Sequence, residues 1–147
     1  IFLLISGFQI HPRVTPRVAP PTMDLAIVVH PKNPVDKLSL DEIRRLWLKK
    51  TVWGGRINGV TPVDRSLLCP ERTMFYRKIL KMTEDEVVTY FLDRQYNEGE
   101  EPQKKFTTDA EVMDFISNTK NAIGYVNLSS IGIENVQKVK IVCTISQ

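Results

Sequence analysis

The sequence predicts a three-layer α/β sandwich built on a mainly parallel sheet, and three features predict it. The first is Leu25-Ala26-Ile27-Val28-Val29, an unbroken apolar run of strand length that suits a strand buried on both faces. The second is a set of helix starts, Ser39-Leu40-Asp41-Glu42, Thr83-Glu84-Asp85-Glu86 and Thr108-Asp109-Ala110-Glu111, each able to form a capping box. The third is the order of segments: strands alternating with helices pack as layers around one sheet.

Composition sets the bounds. A chain of 147 residues, 42% hydrophobic and 25% charged, is one domain's worth with its own core, which excludes disorder of the whole chain. The net charge of +3 is too mild for a dedicated nucleic-acid binder. The densest basic group, Arg44, Arg45, Lys49, Lys50 and Arg56, reads as a solvated helix face, so no nucleic-acid partner is expected. Cys69 and Cys143 lie far apart with no Cys-x-x-Cys spacing and no nearby histidine, so no zinc site is expected. Whether they pair is left open, with two small half-buried side chains as the simpler reading. His11 and His30 stand beside prolines and read as solvated. No cofactor or metal is expected.

The N-terminal stretch stands apart. Ile1 to Phe8 is apolar but too short to span a bilayer. It resembles the end of a signal-peptide core, with an edge strand or a disordered tail as alternatives, and so suggests export to the periplasm or another extracytoplasmic space. Pro12, Pro16, Pro20 and Pro21 then block helix and central strand alike. Residues 1–22 are therefore expected to be a leader remnant and linker, and residues 23–147 the folded domain.

Within that domain the strand 25–29 should stop at His30-Pro31-Lys32-Asn33-Pro34. A helix should follow from Ser39, with Leu38 and Ile43 as hydrophobic staple and Leu40, Ile43, Leu46 and Trp47 on one face. Gly54-Gly55 and Gly59 mark turns before a strand from Val60 to Asp64. Pro70 suits a first helical position, and Met74, Phe75, Ile79 and Met82 repeat at helical spacing. The next helix carries Val87, Val88, Phe91 and Leu92, and a polar loop is expected over 94–107. A helix with Val112, Met113, Phe115 and Ile116 inward leads to a strand over 122–126, where Gly124 suggests a bulge or a close backbone approach. The last strand should place Val139, Ile141, Cys143 and Ile145 on one side, Lys138, Lys140 and Thr144 on the other, near a sheet edge.

In open α/β sheets ligands bind beyond the strand ends, which directs attention to Val63-Asp64-Arg65-Ser66-Leu67-Leu68-Cys69-Pro70-Glu71. Arg65 offers a forked cationic donor suited to phosphate or carboxylate, and Ser66 a hydroxyl. Cys69 is a weaker donor at the helix start. Arg65, Ser66 and Cys69 are thus the candidate ligand-binding residues, for a small oxyanion such as phosphate. The plainer alternatives are that Arg65 pairs with Asp64, Glu71 or another surface carboxylate, and that Ser66 caps a turn. Trp47 and Trp53 read as packing residues. No catalytic arrangement emerges, so an enzyme is not expected.

Three stretches also carry a family likeness: Val29-His30-Pro31-Lys32-Asn33-Pro34-Val35 running into Leu38-Ser39-Leu40-Asp41-Glu42-Ile43; Val63-Asp64-Arg65-Ser66 with Phe75-Tyr76; and Asn121-Ala122-Ile123-Gly124-Tyr125-Val126. In order and spacing they resemble the short, PstS-like phosphate-binding family of ABC-transporter substrate-binding proteins. The resemblance implies one lobe of a type 2 periplasmic binding protein, a solute-binding module of the bacterial cell envelope, and an envelope or transporter partner. The family's loop after the arginine is rich in glycine and serine, whereas this chain has Leu67, Leu68, Cys69, Pro70 and Glu71. Two readings follow from that departure: weak or vestigial oxyanion binding, or a structural or protein-interaction module that kept the lobe and lost the ligand.

Overall fold

The computed structural model describes residues 7, 9–16, 22–48 and 59–147. Most of the apolar run at the N-terminus, Lys49, Lys50, Trp53, Gly54-Gly55 and Arg56 lie outside the described residues.

The order of elements is β1 (Leu25–Val29), α1 (Leu40–Trp47), β2 (Thr61–Pro62), β3 (Asp64–Arg65), α2 (Pro70–Phe75) with a π-helical turn Tyr76–Leu80, α3 (Glu84–Glu98), β4 (Lys105–Phe106), α4 (Asp109–Ser117), β5 (Ala122–Asn127) and β6 (Lys140–Ile145). A four-stranded sheet has the order β2-β5-β1-β6, and β3 and β4 form a second, two-stranded sheet. The layered α/β class holds. Strand direction is mixed: β2 runs parallel to β5 and β3 to β4, whereas β1 is antiparallel to both β5 and β6. The apolar run of β1 reports burial on two faces, and burial alone does not set direction.

That two-sided burial makes the layers. Leu25, Ile27 and Val29 face a core with Ile43, Trp47, Phe75, Ile79 and Tyr125. Ala26 and Val28 face the opposite core with Val63, Val112, Met113 and Ile116. Helices α1 and α2 thus cover one face and α4 the other. All three capping boxes form, at Ser39, Thr83 and Thr108. Trp47 is fully buried, 4.5 Å from Phe75 between ring centroids, as its packing role requires.

Four local differences from the sequence expectation have physical causes. The strand expected over 60–64 is divided: Val63 N–H donates to Ile123 O (2.9 Å), but Asp64 N–H donates to Lys104 O (2.8 Å). The chain crosses there from the large sheet to the small one. Helix α3 continues through Arg94 to Glu98, because Arg94 pairs with Glu98 at 3.1 Å and with Glu100 at 2.6 Å on its polar end. Gly99 then closes it in the left-handed conformation, φ 66°. On α3 only Val87 is buried, while Val88 and Leu92 are 42% and 57% exposed. On β6 the expected alternation fails because Ile27 pairs with Cys143 and Val28 with Ile141, leaving Val142 as the extra residue of a bulge. Val142 is therefore buried and Ile141 turned outward, on a strand that does sit at the sheet edge.

Gly124 is a close approach. A Cβ added there would lie 2.8 Å from both Ile116 Cδ1 and Val112 Cγ1, and 3.0 Å from Val63 Cγ2. Helix α4 therefore sits on β5 at a distance only glycine permits. Gly124→Ala is expected to destabilise the fold by about 1–3 kcal/mol through overpacking. A urea midpoint unchanged from wild type would refute this.

Candidate functional site

The turn leaving β3 is built by its neighbours. Ser66 N–H donates to Phe106 O (2.9 Å), which locks the turn to β4, and Cys69 N–H donates to Ser66 O (3.2 Å), which closes a tight turn over Leu67 and Leu68. Pro70 then starts α2, as the sequence indicates. Leu68 adopts φ 75° and is 92% exposed. The backbone thus keeps a left-handed turn that favours glycine, with a leucine in it. Leu68→Gly is expected to stabilise the chain by about 1 kcal/mol by relieving that strain. A thermal midpoint that falls on this substitution would show that the leucine side chain has a compensating contact.

Arg65 is 3% exposed, and its guanidinium is bonded inward. Nη1 pairs with Asp109, the first residue of α4; Nη2 donates to Thr107 O at 3.0 Å, and Nε to Phe106 O at 3.3 Å. Glu71 Oε2 lies 4.0 Å from Nη2. Asp109 is itself held from its other oxygen by Ser130 Oγ at 2.5 Å. Ser66 Oγ lies 3.2 Å from Thr107 Oγ1, and Cys69 Sγ is 3.6 Å from Thr107 O. Arg65, Ser66 and Cys69 are thus gathered at one corner, all three turned toward the 106–109 segment. Cys69 and Cys143 are both free thiols.

Beside this corner lies a buried polar cluster that sequence reasoning did not assemble. Asp64, 4% exposed, accepts from Tyr76 Oη and Tyr125 Oη, each at 2.5 Å, and from the Arg65 amide at 2.8 Å. Arg72, 4% exposed, donates to Arg65 O (2.8 Å), pairs with Glu84 and lies 5.0 Å above the Tyr76 ring. Burial first, then the charge of Asp64, raises the pKa of both tyrosines above the ordinary 10.0. The sequence held one signal for this: tyrosine and aspartate inside apolar segments need polar partners. It held no signal for which partners, since Asp64 and Tyr125 are 61 residues apart.

No protein-family model matches the sequence, and no curated protein matches it. Solved structures do. A protein from Clostridium perfringens, assigned as a phosphate ABC transporter substrate-binding protein and solved with bound phosphate, superposes with TM-score 0.62 at 21% identity over 82% of this chain and 44% of its own. An ABC-type phosphate transport receptor from Vibrio cholerae gives 0.62 at 20% identity over 82% and 46%. PstS from Borrelia burgdorferi gives 0.63 at 14% identity over 82% and 47%. The chain has the fold of one lobe of a periplasmic binding protein. It spans less than half the length of each of these relatives.

In that fold the charged corner joins β3 to the head of α4, and the buried tyrosine cluster joins β3 to the turn after α2 and to β5 of the large sheet. Among the described residues, no group of His, Cys, Asp and Glu side chains is arranged to hold a metal ion. No described helix is long and apolar enough to cross a membrane. The two described members of the basic group are also engaged: Arg44 Nε donates to Leu80 O at 3.0 Å, and Arg45 pairs with Asp41 at 2.9 Å.

Proposed function

We propose that this chain is a solute-binding-like module of the bacterial cell envelope, of the phosphate class, whose oxyanion corner is occupied by its own carboxylates. It then acts through contact with an envelope or transporter protein, not as an enzyme and not by trapping free phosphate. The observation that carries this reading is the state of Arg65. A guanidinium 3% exposed, bonded to Asp109 and to two backbone carbonyls with Glu71 at 4.0 Å, is fully engaged. An incoming oxyanion would have to displace Asp109 and sit near Glu71. Like charges about 4 Å apart at partial burial repel by roughly 4 kcal/mol. Cys69 supports the same reading, because its thiol is a weak donor and Pro70 after it has no N–H to offer. Export is supported by the fold likeness to transport receptors and by the apolar run at the N-terminus.

Isothermal titration with phosphate and with sulfate tests this. No saturable heat is expected for the wild type at millimolar anion. Saturable heat that grows in Glu71→Gln, which removes one of the two carboxylates, would overturn the proposal and restore a weak oxyanion receptor at this corner.

A further inference from the structure

On the α3 side of Asp64 lies a cavity of about 110 Å³ that the Arg65 corner does not use. It is smaller than the roughly 150 Å³ cavity that accepts a benzene, so it suits an apolar body of about five heavy atoms. Val87, Val88, Phe91 and Leu92 wall it from α3, with Pro102 from the segment leading to β4. The exposure of Val88 (42%) and Leu92 (57%) extends this apolar wall toward solvent.

Its polar groups divide into two kinds. Asp64 and Arg72 line the floor but are already engaged: Asp64 by two phenols and an amide, Arg72 by Glu84 and Arg65 O. Gln95, Gln103 and Lys105 also line the cavity, and they are not engaged. Gln103 Nε2 is buried with no hydrogen-bond partner among the described residues. The side chains of Gln95 and Lys105 make no hydrogen bond or ion pair among those residues. What remains unmet among the described residues is therefore a buried amide donor beside apolar walls, with the exposed Lys105 as the one cation on the lining not already paired. A buried donor without an acceptor is costly, and a group that accepts from it removes the cost.

We propose that this cavity binds a short branched aliphatic carboxylate, with its alkyl group against Val88, Phe91 and Leu92 and its carboxylate on Gln103 Nε2 and Lys105. The apolar walls select the hydrocarbon, and the two nitrogen donors select an anion. A ligand this small binds in the millimolar range.

The test is a proton–nitrogen NMR titration of the whole chain with isovalerate, and with 3-methylbutan-1-ol as its neutral counterpart. Saturable shifts are expected at the Gln103 side-chain amide and at the Val88 and Leu92 amides, with the alcohol at least about tenfold weaker. Lys105 is exposed, so Lys105→Met should fold normally and reduce isovalerate to the level of the alcohol. Gln103→Leu removes the unpaired donor and should weaken isovalerate without loss of stability. Absence of saturation, equal affinity for acid and alcohol, or affinity indifferent to both substitutions would each overturn the proposal. The titration is independent of phosphate binding at Arg65, so either proposal can fail alone.

Discussion

Arg65→Ala is expected to destabilise the fold by about 3–5 kcal/mol, the cost of leaving a buried charge without its partner. The partner in question is Asp109, with 14% of its side chain exposed and its second oxygen held by Ser130. Loss of the guanidinium also removes its bonds to Thr107 O and to Phe106 O, which keeps only the Ser66 amide. Urea unfolding of Arg65→Ala, Asp109→Ala and the double variant measures the effect directly. The two single substitutions should be strongly non-additive, with the double variant little worse than either alone. Additive single losses would mean that the pair is not formed in solution, and that the arginine stands ready for a ligand after all. The cycle therefore bears on function as well as stability: a strong coupling is what a self-occupied corner requires.

How far the sequence foretold this corner depends on distance along the chain. The helix starts were plain, because a capping box needs only residues three apart, and all three formed. Pro70 and the strand of Leu25 to Val29 were equally local signals. Arg65 is legible as the charged group of the turn, and a pairing with Asp64, Glu71 or another surface carboxylate is the plainer of its expected readings. The sequence pointed to near carboxylates, whereas the direct partner is Asp109, which sequence reasoning had placed only as part of a capping box. Asp109 lies between the two residues that make that box, Thr108 and Glu111, and nothing local links position 65 to position 109. Strand direction was hidden for the same reason: Ala26 meets both Val126 and Thr144 in antiparallel pairs, and each lies about a hundred residues away. The bulge at Val142 was invisible because alternation in sequence assumes an unbroken register.

Asp64→Asn is the second large expected effect, at about 3 kcal/mol, since hydrogen bonds to a buried charge are worth more than neutral ones. Asp64 accepts from two phenols at 2.5 Å and from the Arg65 amide at 2.8 Å, so the carboxylate is the common acceptor of β3, α2 and β5. An amide keeps one accepting oxygen and turns the other position into a donor facing a phenol. The same cluster predicts how stability varies with pH. Burial, and then the charge of Asp64, raises the pKa of Tyr76 and Tyr125 above the ordinary 10.0. The unfolded chain therefore releases these phenolic protons first. Their contribution is whole below about pH 10 and is lost progressively as pH rises beyond it. In Asp64→Asn the charge that helps raise both phenols is gone, so the alkaline loss should be shallower, from a lower starting stability. Unfolding free energies between pH 8 and pH 11 would decide it. A parallel decline in both proteins would mean that burial alone holds the tyrosines neutral, and that Asp64 is not the acceptor tying the small sheet to the large one.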